Sequence, residues 1–353
     1  MAGTGKAHLR TRDDARLRVE DLGVEFEAKS GQRVHAVSGI SFDVLRGESV
    51  GIVGESGCGK SSVARAVMHL PRPTSGQVVL DDTEMTALGS DRRGTEKLRE
   101  TRVKMQLIFQ DPISSLNPRR KVKHLVSEGV SIWRGRGSRS NAEPRVRELL
   151  ESVGLDPETV WNRYPHELSG GQCQRVSIAR ALMMRPELLI CDEVLSSLDV
   201  SVQSQMLALL KRTKADYGLS MMFISHDLGV VKNICDRVIV MYLGKIAEVM
   251  EVEALDRDAI HHPYTELLLQ SVPQTTGERV RPAPPGEAQD LPSPLNPPSG
   301  CRFRTRCPLA TERCAREEPQ LEEKAPGQFI ACHHVARTIP VTGSPREQKE
   351  EQS

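Results

Sequence analysis

The chain has almost no net charge and no long apolar run. Lysine and arginine total 48 against 47 acidic residues, a formal charge of +1, so no basic field draws it to nucleic acid. Its longest apolar stretches, such as Val238 to Leu243, are strand-length, well short of the ~20 residues of a membrane span. The N-terminal Met1-Ala2-Gly3-Thr4-Gly5-Lys6 is polar and lacks the apolar core of a secretory signal. The expectation is a cytosolic polypeptide whose membrane role, if it has one, comes through partners. With 353 residues it can hold one large domain and an appendage, or two domains.

What is present falls into zones. Residues 17–50 alternate apolar and polar side chains (Leu17, Val19, Leu22, Val24, Phe26; Val34, Val37, Ile40, Phe42, Val44), which predicts a half-buried antiparallel sheet. Ser49 to Val53 reads as a buried strand entering a glycine loop and a helix over 60–70. Strands at 103–109, 186–191 and 220–225 then alternate with helices at 144–153, 172–184 and 200–215, the pattern of a mostly parallel α/β sheet. Residues 238–249, turning at Leu243-Gly244-Lys245, predict a closing hairpin. Eight prolines in the 26 residues from Pro273 to Pro298 mark an extended linker, and the tail after about 338 reads as disordered. The domains expected are a nucleotide-binding domain over 15–272, a linker over 273–299, a four-cysteine module over 300–337 and a tail over 338–353.

Two stretches carry the chemistry. Gly54-Glu55-Ser56-Gly57-Cys58-Gly59-Lys60-Ser61, followed by Ser62, fits the G-x-x-x-x-G-K-[ST] phosphate loop in its strand-loop-helix setting. Glycines let backbone N–H groups turn inward around phosphates, and the helix N-terminus adds positive potential. Lys60 is expected on the β- and γ-phosphates and the Ser61 hydroxyl on Mg²⁺. Leu188 to Glu193 is an apolar strand delivering two acids at its C-terminal end, where ligands meet parallel sheets. Asp192 then holds Mg²⁺ and Glu193 polarises the attacking water as general base; a helix cap is the competing explanation for such an acid pair.

These stretches, with Gln110, Leu168-Ser169-Gly170-Gly171-Gln172, Ser196 to Asp199 and His226, stand in the order and spacing of ATP-binding cassette (ABC) ATPases. The resemblance covers about residues 15–270. It implies a P-loop fold with a RecA-like parallel core, an antiparallel β subdomain and an α-helical signature subdomain. Gln110 resembles the glutamine that touches metal and water beside the docked membrane subunit, and His226 resembles the switch histidine on the γ-phosphate. Asp199 is similar to the aspartate that organises the dimer seam, and Phe26 holds the position of the aromatic that stacks on adenine, although a strand phenylalanine also suits a core. Ser169, Gly170, Gly171 and Gln172 resemble the signature that closes on ATP held by the other protomer, so hydrolysis requires a head-to-tail pair. Val194-Leu195 departs from the family, which usually has proline and then a small residue after the glutamate; full ATPase activity remains the expectation, with slower hydrolysis or a displaced seam as the alternative outcome of a less stiff turn.

The flanks resemble oligopeptide and dipeptide importers: Phe109-Gln110-Asp111-Pro112, Ser115 to Arg119, Tyr164 to Arg175, Leu198 to Gln203, His262 to Thr265 and Leu291 to Cys301. The intact Gln172-Cys173-Gln174 and the proline-rich tail are similar to the second, F-type ATPase subunit. The resemblance implies a different ATPase as partner, two permeases, an extracytoplasmic substrate-binding protein and a seat on the cytoplasmic face of the membrane. Importers of nickel, heme or sugars, and soluble cassette ATPases of DNA repair or translation, are the alternatives. Of the eight cysteines, Cys301, Cys307, Cys314 and Cys332 crowd one short window, which in a reducing cytosol suits a metal better than disulfides. Four thiolates suit tetrahedral Zn²⁺ or a [4Fe–4S] cluster, the spacing names neither, and four reduced thiols remain the plain alternative. The family resemblance leans to iron–sulfur. The basic loop from Arg134 to Arg139 reads as solvated, with anionic headgroups as the other reading.

Overall fold

The computed structural model describes residues 5–27, 31–134, 142–196, 198–255, 259–271, 292–334 and 336–337. The tail over 338–353, most of the proline-rich linker and the loop expected over 134–139 lie outside or at the edge of these residues.

Two sheets organise the molecule. The larger has eight strands in the order Glu322–Ala325, Gln328–Ile330, Lys245–Glu251, Arg237–Tyr242, Ser49–Val53, Ser220–Ser225, Leu188–Asp192 and Met105–Ile108. The last five are parallel and the first four are joined antiparallel. The central parallel strands read as unbroken apolar runs because both faces are covered. Ile52, Ile190, Met222 and Met241 face a core shared with Leu17, Val19 and Phe42. Val53, Leu189, Cys191 and Phe223 face the opposite core, under the helices.

The smaller sheet is antiparallel, ordered Arg33–Leu45, Ala15–Glu27, Ser75–Leu80 and Thr83–Glu84. The expected antiparallel layer is therefore present, but Ser49–Val53 leaves it and runs at the centre of the parallel set. Val122–Val126, Glu128–Arg134, Glu143–Ser152 and Pro157–Val160 gather around the helix Gly170–Leu182, burying Leu125, Leu149, Val160 and Val176. The strand expected over 103–109 shortens to Met105–Ile108, because the helix Arg92–Val103 claims its start with an Asp91 cap onto the Gly94 N–H. Among the described residues no helix is long and apolar enough to cross a membrane.

The segment after residue 299 does not pack as a separate unit. Its strand Gln328–Ile330 pairs with Lys245–Glu251 (Glu248 opposite Ile330, Val249 opposite Phe329), extending the main sheet. Ile330 is fully buried there. A cysteine module with few apolar residues of its own thus borrows the core of the larger domain.

The first helix, Lys60–Val67, ends on His69, whose φ is +56°. Arg102 secures this end by donating to the carbonyls of Met68 (2.9 Å) and His69 (2.7 Å). Burial, with Arg102 and Arg72 nearby, pulls the His69 imidazole from 6.5 to about 4. Between those values the unfolded chain takes up a proton that the folded chain refuses. Stability is therefore expected to be full above pH 6.5 and to fall by up to about 3 kcal/mol as pH drops through this window. Urea midpoints at pH 7 and pH 4.5 measure it. His69→Asn, which tolerates positive φ, should flatten the slope; an unchanged slope assigns it to other groups.

Candidate active site

The site forms where the parallel strands end together. Val53 pairs with Ser225, Asp192 with Ile224 and Ile108 with Cys191, so Gly54, Glu193, His226 and Gln110 all leave one edge of the sheet. At Gly54 (φ +153°) a Cβ would stand 2.2 Å from the Met241 carbonyl oxygen, and at Gly59 (φ +106°) 2.3 Å from that of Ala36. No side chain fits either position, so the loop's path is set by neighbouring backbone. Ser56 and Gly57 form its exposed crest, while Cys58 is buried beneath and burial pushes its thiol up, leaving only its backbone available to a ligand. Ser62 sits in the first turn of the helix.

Lys60 is 4 % exposed, and its ammonium donates to the carbonyls of Gly54 (2.8 Å) and Glu55 (3.0 Å). The Ser61 hydroxyl donates to Asp192 Oδ1 at 2.8 Å. Burial raises the Asp192 carboxyl, and the Ser61 hydrogen bond opposes the rise. A buried carboxylate beside a hydroxyl is a donor set suited to a hard divalent cation such as Mg²⁺.

Glu193 is the hub. Its carboxylate accepts from Gln110 Nε2 at 3.0 Å, lies 3.6 Å from Lys60 Nζ and 3.8 Å from His226 Nδ1. Its backbone has φ +48°, which costs about 1–2 kcal/mol for a side-chain-bearing residue. The conformation is held by the Glu193 N–H on the Ile224 carbonyl (3.0 Å) and by Ser196, which donates to the Glu193 carbonyl through N–H (3.1 Å) and hydroxyl (2.9 Å). Here the unusual Val194-Leu195 finds a physical role: both are buried, at 1 % and 4 % exposure. Apolar packing anchors a turn that a proline ring would otherwise stiffen.

Ser169 caps the helix Gly170–Leu182. Its hydroxyl accepts the Gln172 N–H (3.3 Å) while Gln172 Oε1 accepts the Ser169 N–H (3.0 Å), a reciprocal capping box. Ser169 and Gly170 remain exposed, and Gly171 half-buried. Asp199 likewise caps Val200–Tyr217 through the Val202 N–H (2.9 Å). Phe26 is 38 % exposed on its strand, so it is not a core residue.

Two site residues escaped the sequence reading. Tyr264 accepts the Glu55 N–H on its hydroxyl at 2.8 Å, and Arg306 grips the Glu55 carboxylate at 2.7 and 2.9 Å. The alternating Arg302, Arg304 and Arg306 between Cys301 and Cys307 were the available signal, but spacing does not encode which of them reaches Glu55.

The four cysteines share a corner: the Cys301 N–H donates to the Cys314 carbonyl (2.8 Å), and Cys332 lies within electrostatic reach of the other three thiols. They do not close on one ion, however. Among the described residues no group of three or more His, Cys, Asp or Glu is placed to hold a metal ion, so the expected metal centre finds no single-ion site.

Residues 37–196 match the family described as ABC transporter, and residues 248–314 match the oligopeptide/dipeptide transporter C-terminal region. The chain is 45 % identical over 318 residues to the oligopeptide transport ATP-binding protein OppF of Salmonella typhimurium, spanning 87 % of this chain and 92 % of that one. To the protein of the same name from Haemophilus influenzae it is 43 % identical over 329 residues, spanning 90 % and 97 %. Among solved structures, the dimeric ATP-binding cassette MJ0796, in a post-hydrolysis state with ADP and Pi, is similar at a TM-score of 0.59 and 27 % identity, over 67 % of this chain and 98 % of that one. Likeness this long, embracing both the cassette and the C-terminal region, places the chain in the oligopeptide ABC transporter family, as an ATP-hydrolysing subunit of an importer.

Proposed function

We propose that this subunit hydrolyses ATP with Glu193 as general base, in a head-to-tail pair with a second, different cassette ATPase, at the cytoplasmic face of the membrane. The observation that carries the reading is the convergence of Gln110, Lys60 and His226 on the Glu193 carboxylate. Lys60 exchanges its loop carbonyls for the β- and γ-phosphate oxygens. Glu193 takes the proton of the attacking water, Gln110 orients that water, and His226 donates to the γ-phosphate. The Ser61 hydroxyl and Asp192 carboxylate would hold Mg²⁺, which when bound would neutralise charge on the phosphates.

The exposed cap at Ser169 to Gln172 supports the pair. Its exposed helix N-terminus suits the γ-phosphate of nucleotide held by the partner. Asp199 lies on the same seam and Phe26 offers an exposed ring to adenine. Two permeases and an extracytoplasmic binding protein complete the importer; they, not this chain, choose among peptides. Uptake of a labelled peptide by vesicles carrying the assembled transporter tests the reading. ATP-dependent uptake with the native chain and none with Glu193→Gln is expected; uptake indifferent to the substitution overturns it.

Cys301, Cys307, Cys314 and Cys332 are further proposed to ligate a [4Fe–4S] cluster with a structural role. A [4Fe–4S] cluster takes four thiolates, and these four thiols lie within electrostatic reach of one another. Anaerobically purified chain should hold iron and acid-labile sulfide, and Cys301→Ser should lose both. Native protein free of iron overturns the cluster, and zinc in its place makes the site a zinc centre.

A further inference from the structure

Resting on the reading of Gly54 to Ser61 as the grip on nucleotide, we infer that Arg306 is a positioning residue of the phosphate loop, through which the C-terminal segment sets ATP affinity. Glu55, the second residue of the loop, is held at four atoms. Its N–H donates to the Tyr264 hydroxyl (2.8 Å), its carbonyl accepts from Lys60 Nζ (3.0 Å), and its two carboxylate oxygens accept from the two terminal nitrogens of Arg306 (2.7 and 2.9 Å). The guanidinium–carboxylate fork fixes direction as well as distance, which a single contact does not.

The pair is sheltered. The Arg306 guanidinium lies 5.8 Å from the Tyr242 ring centre and 5.9 Å from that of Phe303, and the side chains of Arg306 and Glu55 are only 20 % and 24 % exposed. Phe303 in turn packs edge-on against Tyr242 and tilted against fully buried Tyr264. Low local polarity strengthens such a pair relative to one in open water. A second strut runs from the same segment to the far end of the loop. Arg302 donates to the Leu243 carbonyl, and the next N–H, of Gly244, donates to the Cys58 carbonyl (2.8 Å). The short run from Arg302 to Arg306 therefore braces the phosphate loop at both Glu55 and Cys58.

Bracing matters because Lys60 must give up the Gly54 and Glu55 carbonyls to reach the phosphates. With the Glu55 side chain and N–H fixed from outside, the loop keeps its shape as the lysine leaves. Without them, part of the binding energy goes to ordering the loop. The effect falls on nucleotide affinity rather than on the chemical step, since the side chains of Arg302 and Arg306 bond to Leu243, Glu55 and Tyr242 and not to Glu193, Gln110 or His226.

Titration of the full chain with trinitrophenyl-ATP and Mg²⁺ tests this, together with steady-state hydrolysis by the assembled transporter. Arg306→Gln should raise the Kd about tenfold and raise KM in step while kcat stays within twofold. Glu55→Gln, which leaves the C-terminal segment intact, should raise the Kd similarly, and it carries the test where Arg306→Gln fails to fold. The double variant should be no weaker than either single one, because both remove the same interaction. Arg306→Lys should recover part of the loss. A Kd within twofold of native in the folded single variants, or additive losses in the double variant, overturns the inference. Lys60→Ala separates the underlying reading: if it keeps native affinity, the loop is not the nucleotide grip. If it loses affinity while the Arg306 and Glu55 variants do not, only the brace falls.

Discussion

Replacing Glu193 by glutamine is expected to slow ATP hydrolysis by well over tenfold while ATP affinity stays near the native value. The substitution keeps the length and shape of the side chain, and the neighbours that hold it remain in place: Gln110 at 3.0 Å, and Ser196 and Ile224 on the backbone. What it removes is the basic oxygen. A positioned general base contributes about 10²–10⁴ in rate, and each tenfold corresponds to about 1.4 kcal/mol of barrier. Nucleotide affinity depends instead on the loop backbone, Lys60, Ser61 and Asp192; of these the change touches only Lys60, whose 3.6 Å ion pair with Glu193 is lost while its charge remains for the phosphates. Phosphate release at saturating ATP and trinitrophenyl-ATP titration measure the two quantities. Turnover near native would take Glu193 out of the role.

Gly59→Ala is expected to cost the most at the loop, abolishing measurable nucleotide binding and lowering folding stability by about 3 kcal/mol. Two penalties combine. The residue sits at φ +106°, which side-chain-bearing residues rarely adopt, and its Cβ would lie 2.3 Å from the Ala36 carbonyl oxygen. Backbone cannot yield as a flexible side chain can, so the loop itself must move and its N–H groups lose their aim. Gly170→Ala is the informative contrast. Nothing stands within 4 Å of a Cβ at Gly170, so the melting temperature should hold in the isolated chain. Hydrolysis by the proposed pair should nevertheless fall, because in that pairing a methyl group there would crowd the phosphate held by the partner. Melting curves of both variants beside hydrolysis by the pair give the comparison. A Gly59→Ala chain that melts like the native one and binds nucleotide normally contradicts the packing argument.

The sites most legible in sequence were those whose chemistry needs a fixed local spacing. A phosphate loop is one continuous turn, so Gly54 to Ser61 can be read from eight neighbouring letters. The same holds for the cap at Ser169 to Gln172, where the side chains that bond one another lie three residues apart. Glu193 was legible through its place at a strand end, but its partners are 83 and 133 residues away, at Gln110 and Lys60. Their convergence follows from the shared register of the parallel strands, which only the family's motif order anticipated.

The C-terminal segment shows the limit in the other direction. Four close cysteines, a proline-rich stretch before them and few apolar residues read as a separate module with its own metal. In the fold, Phe303, Leu321 and Ala331 pack into the two main cores, Gln328–Ile330 extends the main sheet and Arg306 holds the phosphate loop from 251 positions further along the chain. Such a contact depends on where two chain segments end up in space, and no periodicity or spacing encodes it. By itself, then, the sequence determined the nucleotide chemistry and the cassette layers, because those rest on local turns and alternating burial. The tertiary structure alone decided that the cysteine-bearing segment is built against the loop that holds ATP, because edge pairing and a sheltered ion pair arise only once the sheet exists.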